Sequence, residues 1–219
     1  LPLNVANEST VRADIDAGTA AAMPGIVEQL TKTLTAEEKS PKPKNVKIPR
    51  VAFKGSLEEV NRFYYRNGWT DGLPVLPPTE KAVAEMMTGT DLPADHVVAK
   101  VIPRLGKATV EKIAVNAVMA GALPTHMPVL ITALLALEDQ KTRFDTFEVS
   151  TGSRAPFFAV NGPIRHDIHI NFGSGSLSPG NIANSAIGRA IGLIVKNIGG
   201  ARKGVEDMGV IGNPSKYSL

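Results

Sequence analysis

The sequence predicts an α+β or irregular α/β protein: a single compact domain with a mixed sheet and a long C-terminal helix, preceded by an extended N-terminal arm. Three observations predict it. Apolar residues recur at helical spacing behind recognisable capping residues in several segments. Short runs rich in β-branched and aromatic residues lie between them. The two kinds of segment do not alternate strictly, so a regular parallel sheet is not expected.

Residues 1 to 55 read as the arm. Asn4–Ala22 is small and polar. Ile26, Val27, Leu30 and Leu34 follow Pro24-Gly25 at helical spacing, and Lys39-Ser40-Pro41-Lys42-Pro43-Lys44 reads as an extended tether. The compact domain is expected over 56 to 219, completed by another chain or by a further C-terminal segment. Ser56 and Glu59 form a capping box ahead of Leu57, Val60, Phe63 and Tyr64, and Gly68 stops that helix. Trp69–Thr79 is too proline-rich for regular structure, and Thr79 caps a helix through Met87. Val97–Ile102 reads as a strand. Thr109 caps a helix ending at Gly121, and Pro128 suits the first turn of the next, which runs to Leu137. Phe147–Thr151, Phe157–Val160 and Ile168–Phe172 read as strands, and Asn181–Asn197 as the long helix, closed by Gly199-Gly200.

Composition narrows the function classes. The 219 residues are 43% hydrophobic and 21% charged with a net charge of +3, which describes a globular chain without a strong basic field. The densest basic stretch, Lys42 to Lys54, is broken by prolines and lacks the aromatic interleaving of a nucleic-acid surface, so no nucleic-acid partner is expected. Cysteine is absent, which removes disulfides, thiolate metal sites and a cysteine nucleophile from this chain. No apolar run reaches the roughly 18 to 20 residues of a membrane span, and no signal sequence opens the chain at Leu1. A soluble, cytoplasmic protein without a membrane partner is the simplest expectation.

Four segments carry chemistry. The loop Gly173-Ser174-Gly175-Ser176-Leu177-Ser178-Pro179-Gly180-Asn181 opens the last helix, and its N–H groups, hydroxyls and helix dipole suit a carboxylate or phosphate. It matches neither the P-loop nor the dinucleotide fingerprint, and a flexible connection capped by Asn181 is the plainer alternative. Asn161-Gly162-Pro163-Ile164-Arg165-His166-Asp167-Ile168-His169 groups an arginine, two histidines and an aspartate. On a helical turn His166 and His169 share a face for metal or proton-transfer work; on a strand they point apart. Asn161 orients a ligand or simply makes the turn. In Trp69–Thr79, Asp71 is the one candidate acid or base. Arg104 and Lys107 precede a helix N-terminus, where cations suit an anion as well as solvent. Arg189, on an apolar helix, needs a carboxylate partner or a ligand, and Asn116 needs partners if buried.

Asn67-Gly68-Trp69-Thr70-Asp71-Gly72-Leu73-Pro74-Val75-Leu76-Pro77-Pro78-Thr79, Ala108–Gly121, Val160–Ile164 and Asn197–Arg202 together resemble a largely uncharacterised bacterial family over about residues 56 to 219. Its members often accompany a small protein bearing a Sec/Cys-Gly-Ser-Cys motif, similar to the redox-active segment of reductases that cleave carbon–heteroatom bonds in amino acids. The resemblance implies one subunit of a heteromeric enzyme for a small anionic substrate, with the reactive sulfur on a second protein chain. It transfers no catalytic residue and names no cofactor, so the cofactor is unknown. Family members continue past Lys216-Tyr217-Ser218 into a stretch opening with a cysteine, leaving trimming, a gene boundary or proteolytic processing as readings of Leu219. The leading expectation places the substrate on Gly173, Ser174, Gly175, Ser176 and Asn181, with Lys107 and Asn161 as further ligand-binding candidates and His166, Asp71 and Arg165 as the candidate catalytic residues. The alternatives are a non-catalytic scaffold assembling through its arm and a metal-dependent hydrolase using His166, Asp167 and His169.

Overall fold

Capping residues and the partners available to each strand decide which of these elements form. The computed structural model describes residues 12–40 and 49–217. The first part of the expected arm, most of the Pro-rich tether and the chain end at Ser218-Leu219 lie outside the described residues. The chain divides into Leu1–Arg50 and Val51–Leu219. In the first unit, helix α1 (Arg12–Thr31) passes through Pro24-Gly25 and has no buried residue. Helix α2 (Ala36–Lys39) is one turn closed by a Thr35/Glu38 capping box.

The second unit is α+β. Helix α3 (Leu57–Arg66) starts at the expected capping box: Glu59 N–H donates to Ser56 Oγ at 3.3 Å and Ser56 N–H to Glu59 Oε2 at 2.8 Å. Gly68, at φ 67°, turns the chain out of the helix into the Trp69–Thr79 strap. The strap is held from both sides. Val75 N–H donates to Asn61 Oδ1 at 2.7 Å and Leu76 N–H to the Met119 carbonyl at 3.3 Å. Thr79 caps α4 (Glu80–Met87), which buries Val83 and Met86.

Strands β1 (Val97–Val101) and β2 (Gly106–Thr109) form an antiparallel hairpin, with Val101 opposite Gly106. Thr109 then caps α5 (Val110–Ala120), and Gly121, at φ 82°, ends it in the left-handed conformation. Helix α6 (Met127–Glu138) carries Pro128 in its first turn and buries Leu130 and Leu134 completely. The short helices α7 (Phe144–Phe147) and α8 (Ile164–Asp167) precede α9 (Ile182–Asn197). The core lies where α5, α6 and α9 pack together with α4 and the hairpin. Approach is close at the hairpin turn, where a Cβ on Gly106 would fall on the Ile198 carbonyl.

Helices α3, α4, α5 and α9 appear where the caps predict them, α7 was not expected, and the sheet is smaller than expected. Phe147–Thr151, Phe157–Val160 and Ile168–Phe172 are not strands; Phe147 closes α7 and the other residues are irregular. β-propensity expresses itself only where a strand finds a partner. Here Pro156 and Pro163 interrupt the chain, and His169 takes φ 57°, which breaks an extended run. Among the described residues the mixed sheet thus reduces to one two-stranded antiparallel sheet. No helix of the described residues is long and apolar enough to cross a membrane.

Candidate functional site

A cavity of about 490 Å³ in the Val51–Leu219 unit lies against one face of α9. That size is typical of a small-molecule site. Arg189, Gly192 and Lys196 of α9 line one side. The strap contributes Thr70 and Asp71, the α7 region Phe144 and Glu148, and the segment after α9 Asp207 and Lys216. A Cβ on Gly192 would sit 2.8 Å from the Lys216 carbonyl oxygen, so glycine there lets the closing segment reach α9.

Two charge clusters face this space. In the first, Arg189 Nε and Nη2 donate to the two Asp71 carboxylate oxygens at 2.8 and 3.0 Å, and Nη2 also reaches the Pro74 carbonyl at 2.8 Å. This is the carboxylate partner that an arginine on an apolar helix demands. Burial pushes the Asp71 carboxyl up, but the Arg189 hydrogen bonds and charge outweigh it and hold it below the usual range. Asp71 is therefore an ionised anchor with both oxygens engaged. Around it the strap is fixed by Lys196 Nζ on the Gly68 carbonyl and by Asn197 Nδ2 on the Trp69 carbonyl at 3.0 Å. Asn197 Nδ2 also donates to Asn116 Oδ1 at 2.8 Å, and Asn116 in turn donates to the Lys112 carbonyl, so the buried asparagine has its partners.

The second cluster was not legible in the sequence. Glu148, 5% exposed, lies just past the end of α7. Its Oε2 stands 4.0 Å from Lys216 Nζ, which is 2.7 Å from Asp207 Oδ1. Burial raises the Glu148 carboxyl to about 7; Lys216 opposes the rise and the neighbouring Asp207 charge adds to it. The Glu148 carboxyl makes no hydrogen bond to another described residue. Among the described residues no fully buried side-chain oxygen lacks a partner, so its oxygens remain open to the cavity. A carboxyl that titrates near neutrality, opens to a pocket and faces an ammonium group can both give and take a proton.

The residues singled out from sequence are only partly brought together. Arg165 and His166 meet at Phe172, immediately before the glycine-rich loop. The Arg165 guanidinium lies 4.7 Å from the Phe172 ring centre, the His166 ring 5.0 Å from it, and Arg165 Nε 3.3 Å from His166 Nε2. In the loop, Gly173 N–H donates to Asn171 Oδ1 at 3.0 Å, while Ser174 offers its carbonyl to Asn171 Nδ2. Gly175 takes φ 71°. Asn181 caps α9 by accepting from Asn184 N–H at 3.0 Å, and its Nδ2 binds the His169 carbonyl. Of these loop residues, Ser176 lines a second, smaller cavity. Lys107, exposed on β2 opposite Lys100, and Asn161, exposed before α8, line neither cavity.

His166 sits in α8, whereas His169 lies beyond it at positive φ, so the two do not share one helical face. Among the described residues no three His, Asp or Glu side chains converge to hold a metal ion. The sequence signal available for Glu148 was slight: a lone acid between Phe147 and Val149, in a run read as a strand. Comparison with protein-family models, with curated proteins and with solved structures gave no match.

Proposed function

We propose that this chain binds a small carboxylate or phosphate in the α9 cavity and transfers protons to or from it through Glu148, as one subunit of an enzyme. The observation that carries this reading is the open Glu148 carboxyl, raised to about 7 beside Lys216. With Glu148 protonated, the cationic groups Lys216, Lys196, Arg189 and Lys203 outnumber the anionic Asp71 and Asp207 around the cavity, which favours an anionic ligand. The cysteine-free sequence leaves sulfur chemistry to a second chain, as the family resemblance implies. Cleaving a carbon–heteroatom bond there requires a proton on the leaving group, and Glu148 is suited to deliver it.

The test is an NMR titration of the full chain with acetate, succinate and inorganic phosphate. The proposal expects saturable shifts around Glu148 and Lys216, removed by Lys216→Met. Shifts confined elsewhere, or unchanged in that variant, refute it. A second reading is a scaffold that assembles through its N-terminal region, favoured by the exposed Met23, Ile26, Val27 and Leu30 of α1. Deleting residues 1–50 abolishes assembly under that reading, whereas an enzyme subunit retains its ligand shifts.

A further inference from the structure

The second cavity, about 370 Å³, is bounded by the glycine-rich loop, the first turns of α9 and the segment around Phe157. Pro156 and Asn213 line both cavities, so a single layer of residues separates them. That layer is well fixed. Asn213 Nδ2 donates to the Ser153 carbonyl and Asn213 Oδ1 accepts from Ser215 N–H, each at 3.0 Å, while Ser153 Oγ accepts from Gly212 N–H at 3.0 Å.

The lining of the second cavity differs in kind from the first. It contains no charged side chain. The backbone donors expected for an anion are largely engaged: Asn184 and Ser185 N–H bond Asn181, and Ser176 and Ser178 N–H bond the Gly173 and Gly175 carbonyls. The Asn184 amide is also used up, accepting from Asn171 N–H and donating to the Asn171 and Ser176 carbonyls. What remains are the hydroxyls of Ser176, Ser178 and Ser215, which make no hydrogen bond to other described residues, beside the exposed apolar faces of Phe157 and Leu177. A hydroxyl both donates and accepts, so several around an apolar wall match a neutral, hydroxyl-rich group whose C–H face packs on the wall.

We infer that the second cavity is a subsite for an uncharged polyhydroxylated moiety, such as a sugar ring or a linear polyol, joined in one ligand to the anionic group of the first cavity. The joining rests on the reading of the first cavity proposed above; the ligand class of the second does not. The experiment is an NMR titration of the full chain with methyl glucoside, ribose, inorganic phosphate and ribose 5-phosphate. Methyl glucoside and ribose are expected to shift the Ser176, Leu177 and Ser215 amides, and Ser176→Ala combined with Ser215→Ala to weaken them about tenfold, the loss of two hydroxyl hydrogen bonds. Phosphate binding at Glu148 and Lys216 stays unchanged in that double variant. Ribose 5-phosphate binds more tightly than ribose or phosphate alone. Failure of both neutral compounds to shift these amides, their equal binding to the double variant, or phosphate shifting the same amides overturns the subsite. Sugar binding without phosphate binding at Glu148 leaves the subsite standing and removes the anion reading of the first cavity. Ribose 5-phosphate no tighter than its parts overturns the joining.

Discussion

Replacing Glu148 by glutamine separates the stability of this carboxyl from its chemistry. Glutamine keeps the shape of the protonated acid and cannot ionise. The unfolded chain releases the Glu148 proton near the ordinary value of 4.5, and the folded chain near 7. Between these values the native state holds a proton that the unfolded state has lost, so stability falls as pH rises through this window and levels off above it. At about 1.4 kcal/mol per tenfold change, the full difference is roughly 3 kcal/mol. The side chain is only 6% exposed, so solvent screening removes little of it. Glu148→Gln should therefore match the parent below pH 4.5 and exceed its stability by roughly 3 kcal/mol at pH 8. Urea unfolding from pH 4 to 9, followed by fluorescence of Trp69, the single tryptophan, measures this in the unit that contains Glu148. A gain of equal size at pH 5 and pH 8, or none at pH 8, refutes the reasoning.

Other perturbations test the rest of the site. Asp71→Asn or Arg189→Met leaves a partly buried charge unpaired, and each should cost roughly 2 to 3 kcal/mol, with the double variant less destabilised than the two losses combined; chemical denaturation measures all three. Asn197→Ala removes the bonds to Trp69 and Asn116 and should cost about 1 to 3 kcal/mol, read from the same curves. Gly106→Ala drives a Cβ into the Ile198 carbonyl and should abolish soluble folded protein, whereas Gly72→Ala, which meets nothing, should leave a folded protein with only the strain of its φ of 98°. Acetate affinity should fall as pH rises through about 7 in the parent and become nearly flat in Glu148→Gln, measured by calorimetric titration.

How much of this was readable in the sequence depended on whether the cause was local. Ser56, Thr79, Thr109 and Asn181 announce helices because a cap acts within four residues, and each sits where expected. The strands after α6 were misread because a strand needs a partner that its own residues do not specify. The charge on Arg189 demanded a partner, but Asp71 was named only as a candidate acid or base, and nothing along the chain joined the two across the distance between strap and helix. The glycine-rich loop was read as an anion site from its composition. Asparagines take two of the donors at this loop, Gly173 N–H going to Asn171 Oδ1 and Asn184 N–H to Asn181 Oδ1. Glu148 escaped because its unusual environment is made by burial, with Lys216 and Asp207 beside it, and those two belong to the segment after α9.

The three carboxylates around the α9 cavity differ in how fully they are engaged, and the role proposed for Glu148 rests on that difference. Asp71 spends both oxygens on Arg189, and its lowered pKa keeps it ionised near neutrality. Asp207 holds Lys216 at 2.7 Å. Glu148 shares that same lysine only at 4.0 Å and is the most deeply buried of the three. A fold selected for stability alone would gain by replacing Glu148 with a neutral residue of the same shape, since burial of a carboxyl so weakly paired is unfavourable. Retaining an ionisable group there carries a stability penalty above neutral pH, the pattern found where a site is tuned for proton transfer. The same arrangement supplies the control. Lys216→Met removes the charge that opposes the rise, so the Glu148 carboxyl should move further up and its titration, followed by side-chain carbon NMR, should shift to higher pH. A shift to lower pH would show that Lys216 is not the counter-charge, and the proton-transfer assignment of Glu148 would fall with it.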